Sequence, residues 1–577
     1  MKSLTILLTA VMLSACSAIP KTYSDIVFEN RAGGDTLSLK AISIASRVLE
    51  EKAGRPLVKE DGSLRVRLSL KPGIPHQGYR IRGGRGPRVS IEASDGAGLL
   101  YGLGAWLHAA SITSDGISPG DCDGQSAPDK ELRGMYFATH YQNFYHVAPL
   151  PEVMKYMEDL ALWGCNSICV WLDLHHYSGM DDPEAIAMVD RLSRIARYGK
   201  SLGMSVCLAT NANEGFTGTP MHLRAIPPKK TGLGMNPTDI CPSVPGGTEL
   251  ILKNRRECFQ AFVDAGLIPD YYWIFPYDEG GCECDACMQW GTNGFVRITR
   301  AITAMVKEML PGTKSILSTW GFDCYKGRPV EKGEYAGLAD IIEREGPWTD
   351  YLLVDSHRDY PRWFLEHPSP AGLPILNFPE ISMWGNRPWG GYGANPQIER
   401  LDSIYHEASP LISGGWPYSE GVYEDLNKIL YLGFYWDDSL SGEEIARSYV
   451  EYEFSRELAP RIMTVLHTLE KNYGCKFRTR SWTPGEEVIV KVPEADYGAE
   501  ACWKEVQELD SLLPEIVAKS WRWRLIYVRA FLDQALRQSS GRITPEMLPY
   551  LEETTRISGS QIPESWKGIL EHEKCSL

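Results

Sequence analysis

Tyr277-Asp278-Glu279-Gly280-Gly281 sets two adjacent carboxylates between an apolar aromatic run, Tyr271-Tyr272-Trp273-Ile274-Phe275-Pro276, and a Gly-Gly turn. The run reads as a buried strand, so Asp278 and Glu279 stand where that strand ends. Two carboxyls given different surroundings can divide the work of proton transfer, one staying protonated at neutral pH while the other is ionised. That is the equipment for breaking a glycosidic bond. The plainer reading is a turn with two exposed acids. Placement at the C-terminal end of a barrel strand, where such folds do their chemistry, favours the catalytic one.

Three cysteines follow at once: Cys282, Cys284 and Cys287 form a C-x-C-x-x-C cluster, and Cys324 lies beyond the next apolar run. Four thiolates could close a structural zinc site. One or two disulfides suit an exported chain equally well. Either would order the loop beside the carboxylates, and no dissociable cofactor is expected. The adjacent pair His175-His176 suits hydrogen bonding to a substrate, or loop packing, better than ligation of one ion.

From residue 131 the pattern alternates between strands and helices. Strand candidates cover 132–139, 167–173, 205–210, 272–277, 315–319, 351–355, 374–378 and 411–414, separated by amphipathic stretches such as 150–163, 183–202 and 295–310. Eight such units predict an α/β fold built on a (β/α)8 TIM barrel. The short connections after the sixth and seventh strands are its weakest links, and an open doubly wound sheet is the alternative. In a barrel, the strand ends gather Thr139, His140 and Tyr141, then Asp173, His175 and His176, then Asn211, Asn213 and Glu214. Trp320 and Asp323, then Asp355, His357 and Arg358, and finally Glu380, Trp384, Trp416, Tyr418 and Glu420 complete the ring. Of these, His140, Asp173, Asn211, Asp355, Glu380 and Glu420 are candidates to bind hydroxyls. Trp320, Trp384, Trp416 and Tyr418 are candidates to wall a sugar subsite.

The remaining chain frames the barrel, which is expected over residues 128–438. Residues 25–127 read as a small α/β domain and residues 439–577 as a helical domain. The glycine-rich stretch from Ala93 to Gly104 opens a helix behind an aspartate cap, and its spacing fits no phosphate-binding loop. Trp521-Arg522-Trp523-Arg524 reads as a helix packing on the barrel rather than as a site for nucleic acid or a sugar acid. The apolar stretch after Lys2 is too short to span a bilayer and reads as a signal peptide over residues 1–15. Net charge is −15, which disfavours nucleic acid and anionic lipid as general partners.

Several segments resemble known families. Leu13-Ser14-Ala15-Cys16 resembles the lipobox of bacterial lipoproteins, which implies lipidation of Cys16, a tether over residues 16–24 and a place in the bacterial cell envelope. The Asp-Glu pair closing the fourth strand resembles that of family 20 β-N-acetylhexosaminidases. Leu132-Arg133-Gly134 resembles their Arg-Gly opening, and Trp416 with Glu420 resembles their Trp-x-Glu at the eighth strand, two residues longer here. The resemblance implies Glu279 as general acid/base, Asp278 as the group that holds a 2-acetamido substituent, and Arg133 as a ligand of sugar hydroxyls. The family's Gly-Gly-Asp-Glu run is absent, since Pro276 and Tyr277 precede Asp278. The domain order is also similar to that of α-glucuronidases, which invert configuration; His357, Arg358 and Arg387 would then meet a uronate. The expected function is a glycoside hydrolase, most simply one cleaving β-linked N-acetylhexosaminides in an oligosaccharide or polysaccharide by a retaining, substrate-assisted route. The rivals are an inverting α-glucuronidase-like enzyme and a non-catalytic glycan-binding lipoprotein.

Overall fold

The structure, a computed structural model, describes residues 21–559 apart from 85, 140–142, 228, 230–233, 278–279, 325–331, 357–358, 383–392, 473–475, 478–489 and 493. Near the N-terminus, strands β1 (Ile26–Asn30), β2 (Leu64–Leu70), β3 (Tyr79–Arg82) and β4 (Arg88–Ala93) form a mixed sheet. After a short hairpin of β5 (Ser111–Thr113) and β6 (Gly116–Ser118), β7 (Gly124–Ser126) completes that sheet in the order β1-β2-β4-β3-β7. Asp95 caps the helix Gly96–Ala109 by accepting a hydrogen bond from Gly98 N at 2.8 Å, which accounts for the glycine-rich stretch. A Cβ on Gly104 would sit 2.1 Å from Leu162 O, so glycine there lets this helix press against the end of a barrel helix.

Eight parallel strands follow: β8 (Leu132–Phe137), β9 (Ser167–Trp171), β10 (Ser205–Asn211), β11 (Tyr271–Phe275), β12 (Lys314–Ser318), β13 (Tyr351–Ser356), β14 (Ile375–Pro379) and β15 (Ile412–Gly415). Each pairs with the next, and β15 returns to β8 through Gly414↔Leu132 and Gly415↔Arg133, closing the barrel. The strands were readable because both faces are covered, which makes them continuous apolar runs. Helices such as Leu150–Leu162, Pro183–Ser201 and Gly294–Met309 surround them; between β13 and β14 the outer helix shrinks to Arg362–Glu366. Tyr136, Trp171, Trp273, Phe275, Phe378, Trp416 and Tyr418 fill the interior as one aromatic cluster.

Beyond the closing helix Asp425–Trp436, the helices Gly442–Glu453, Ala459–Lys471, Ala499–Leu512, Trp521–Gln538 and Leu548–Ile557 pack as a C-terminal layer. Trp523 is fully buried there, and Arg522 reaches Asp425 and Asp159 of the barrel. The basic-aromatic run is therefore an internal joint. No described helix is long and apolar enough to cross a membrane.

Glu470 shows how burial loads one of these joints. Its Oε1 accepts from Glu399 N at 3.0 Å and Arg400 N at 3.3 Å, closing the first turn of the helix Ile398–Ala408. Burial outweighs those bonds and pushes its carboxyl from the ordinary 4.5 up to about 7. A raised carboxyl favours folding while it is protonated, so its contribution is full below pH 4.5 and is lost as pH climbs through about 7. Glu470→Gln is expected to flatten that part of the stability profile. The gap between variant and wild-type unfolding midpoints should grow in the variant's favour between pH 5 and 8, where a parallel pair of curves would contradict this.

Candidate active site

At the end of β11, side chains from other elements fix the chain. Asp278 and Glu279 lie outside the described residues, but the residues on either side of them are anchored from opposite directions. Before them, Tyr277 donates its hydroxyl to Glu334 Oε1 at 2.8 Å, and Trp290 Nε1 donates to Pro276 O at 2.5 Å. Glu334 is wholly buried and also accepts from Gly291 N and Asp323 N. After them, Asn213 Oδ1 accepts from Gly281 N at 2.9 Å, while its Nδ2 donates to Gly281 O and Ile240 O. Both flanks of the pair are thereby tied to other parts of the barrel.

Around this rim the neighbouring strands supply carboxylates and aromatic rings. Glu380, fully buried, follows β14; its Oε1 accepts from Ser382 N at 2.7 Å and Ser382 Oγ at 3.1 Å. Across the barrel from β11, the chain resumes pairing with β8 as β16 (Tyr418–Ser419) and delivers Glu420 to the mouth. Tyr418 stacks on Tyr136 at 5.4 Å between centroids and donates its hydroxyl to Glu420 Oε1 at 3.0 Å. Burial, with the Glu420 charge second, holds the Tyr418 phenol well above its usual range, so it serves as a neutral donor. Glu424 Oε1 accepts from Ser419 Oγ and from the backbone of Glu420 and Gly421, fixing that turn. Asp355, the penultimate residue of β13, is half-buried, and half-buried Trp320 follows β12. Trp171 stacks on Phe275 at 5.0 Å and lies at the end of β9 beside Asp173.

Several predicted ligands stand elsewhere. Arg133 is the second residue of β8, four residues below its end, roughly 13 Å down the barrel at about 3.3 Å per residue. It is wholly buried there, its guanidinium donating to Gln77 Oε1, Gly164 O and Lys130 O and lying over Tyr101 and Trp436. It joins the barrel floor to the turn before β3 and to the helix Gly96–Ala109, and the reading as a hydroxyl ligand is corrected. Trp416 is likewise corrected: it is fully buried, bonded through Nε1 to Ser167 Oγ at the first residue of β9. The irregular register of β15 carries the strand's true end on to Tyr418 and Ser419. Asn211 is buried at the end of β10, within reach of Gly280. Asn213 and Glu214 act in loop architecture, Glu214 Oε1 taking Leu174 N and His175 N and lying 2.8 Å from His175 Nδ1. Thr139 Oγ1 ties β8 to Trp171 through both its O and its N. His140, Tyr141, His357, Arg358, Trp384, Arg387 and Cys16 lie outside the described residues.

The cysteine cluster is real, but its fourth member differs. Cys282, Cys284 and Cys287 meet Cys241, from the long connection after β10, with all four sulfurs within 4.8 Å of one another. Cys324 is exposed and stands apart from that group. Asp173, His175 and Glu214 also bring ligand atoms within 4.8 Å, although Glu214 is already committed to the loop.

No family model and no curated protein matches the sequence. Among solved structures, the fold is similar to the GH20 β-N-acetylhexosaminidase from Streptomyces coelicolor A3(2), with TM-score 0.51 and 13% identity over 74% of this chain and 91% of that one. It is similar to the family GH115 4-O-methyl-α-glucuronidase BtGH115A, with TM-score 0.56 and 10% identity over 95% and 77%. It is also similar to CpGH89 from Clostridium perfringens, described in complex with GlcNAc-α-1,4-galactose, with TM-score 0.59 and 13% identity over 87% and 62%, so this chain spans less than two thirds of that protein. At these identities the likeness establishes the (β/α)8 fold.

Proposed function

We propose that this chain is a glycoside hydrolase whose main reaction is retaining hydrolysis of a β-linked N-acetylhexosaminide in a glycan. The observation that carries the reading is the end of β11, anchored on both sequence flanks of the Asp278-Glu279 pair, together with Glu380, Glu420, Tyr418, Trp171 and Trp320 at the ends of other barrel strands. In this mechanism Glu279 protonates the leaving oxygen and later activates water. Asp278 steadies the substrate's acetamido group while its carbonyl oxygen attacks the anomeric carbon. The acetamido oxygen then leaves as water attacks, so two inversions give retention and no protein carboxylate forms a bond to the sugar. The aromatic residues offer a ring face for stacking, and the buried acids accept hydroxyl hydrogens. Fold similarity to an enzyme named as a β-N-acetylhexosaminidase adds support. Attachment to the bacterial envelope through Cys16 belongs to the same proposal and rests on the lipobox alone.

A second reading has its own support. Glu380 and Glu420 lie on strands seven and eight, across the barrel from strand four, where a second carboxylate of a two-carboxylate glycosidase would stand. That arrangement suits an α-glucuronidase-like enzyme, as does the likeness to BtGH115A. Choice of substrate separates the two: release of an aryl group only from 2-acetamido sugars favours the first, and release only from an α-glucuronide favours the second.

A further inference from the structure

The four sulfurs beside the carboxylate pair have a geometry that a loop packing for its own sake has no reason to adopt. Cys241 Sγ lies 3.6 Å from Cys284 Sγ and 3.8 Å from Cys287 Sγ, and all four sulfurs fall within 4.8 Å of one another. Zinc–sulfur bonds of about 2.3 Å put the corners of a tetrahedron about 3.8 Å apart. Two disulfides would instead draw the sulfurs into two bonded pairs, each about 2.05 Å long, set apart from one another. Here one sulfur, Cys241, is near-equidistant from two others, and Cys282 and Cys284 are separated by a single residue. The turn Cys284–Cys287 is closed by Cys287 N donating to Cys284 O at 2.9 Å, so both of its sulfurs can point the same way.

The surroundings are those of a thiolate cluster. Ile226 N points at Cys282 Sγ from 3.5 Å, and Ser243 Oγ lies 2.9 Å from Cys287 Sγ. Arg297 Nη1 donates to that serine at 2.6 Å, bringing a positive charge to a site whose four thiolates outweigh a divalent ion. Outer-shell donors of this kind orient the ligands of metal centres. Cys241, Cys282 and Cys287 are buried, and Cys284 is half-buried.

We propose that Cys241, Cys282, Cys284 and Cys287 bind one zinc ion in a closed four-thiolate site that clamps the loop after the carboxylate pair to the connection after β10. All four corners are protein sulfur, so the ion keeps no open position and its role is structural. The soft, all-sulfur donor set selects zinc over magnesium or calcium. The clamp works beside the Asn213 bonds to Gly281 and Ile240, and Ile240 directly precedes Cys241. The proposal is independent of which glycoside the chain cleaves.

The test uses the full chain, purified without chelator, and counts zinc by mass spectrometry of the metal. One equivalent per chain is expected, retained in Cys324→Ser and lost in Cys241→Ser and Cys282→Ser. Should those two variants fail to fold, wild-type protein stripped of zinc and reloaded with cobalt(II) decides the matter. Sulfur-to-cobalt charge-transfer absorption with a tetrahedral ligand-field band supports the site, and its absence overturns it. Two further results overturn it: full zinc in Cys241→Ser, or these four cysteines recovered as disulfides with no zinc bound.

Discussion

Glu279→Gln is expected to lower kcat on glycosides with poor leaving groups by about 10²–10⁴-fold, the usual worth of a positioned general acid/base. Glutamine matches glutamate in shape but has no proton of suitable acidity to give. The loss should shrink as the leaving group becomes a better one, because departure then needs less protonation. The flanks of the pair are held by Tyr277–Glu334 and Asn213–Gly281, neither of which involves the Glu279 carboxyl, so the unfolding midpoint should stay where it is. A fall in activity of less than about threefold on a poor leaving group would remove Glu279 from the role of general acid. Initial rates across an aryl leaving-group series, with thermal unfolding of the same preparations, make the comparison.

Arg522→Ala is expected to cost about 3–5 kcal/mol of stability, the usual penalty for stripping one partner from a buried ion pair. Arg522 Nε donates to Asp425 Oδ2 at 2.8 Å, and its Nη2 to Asp159 Oδ2 at 3.2 Å. Asp425 also accepts from Tyr156 OH at 2.6 Å and Tyr449 OH at 2.7 Å, and it is almost wholly buried. Removing the guanidinium leaves that carboxylate charged with no cation in direct contact among the described residues. The nearby buried Lys428 is engaged by Tyr156 OH, Gly421 O and Glu424. Because Glu424 also fixes the turn carrying Glu420, the loss should spread from the C-terminal layer to the rim of the mouth. Denaturant unfolding followed by tryptophan fluorescence measures the cost. A change below about 0.5 kcal/mol, the range of ordinary surface substitutions, would mean that the joint is not as built here.

Most of the scaffold could be read from the chain because its physics is local. The β2 segment alternates buried and exposed residues, and the barrel strands are apolar on both faces. Aspartates at Asp95 and Asp182 mark helix starts. What could not be read depends on depth and on distant partners. The Arg-Gly pair of β8 looked like a ligand motif, yet only the length of the strand tells that Arg133 sits below the mouth. Trp416 seemed to be a strand-end residue because the register shift that prolongs strand eight has no local signature. Cys241 joins its cluster from another loop, which spacing within C-x-C-x-x-C cannot reveal. Glu334, which holds Tyr277, opens the helix Glu334–Glu345 and was not among the residues expected at the site. Its one visible hint was an acid opening the helix that follows Asp323.

Substrate choice by the wild-type chain bears most directly on the account. Aryl β-N-acetylglucosaminide, β-N-acetylgalactosaminide, β-glucoside and α-glucuronide should be offered at matched concentrations, with product configuration read by proton NMR. Release confined to the acetamido sugars, with the β-anomer formed first, is the predicted result. Cleavage of the glucuronide alone, or of the β-glucoside as readily as the acetamido sugars, would contradict acetamido participation and move the chemistry to Glu380 or Glu420.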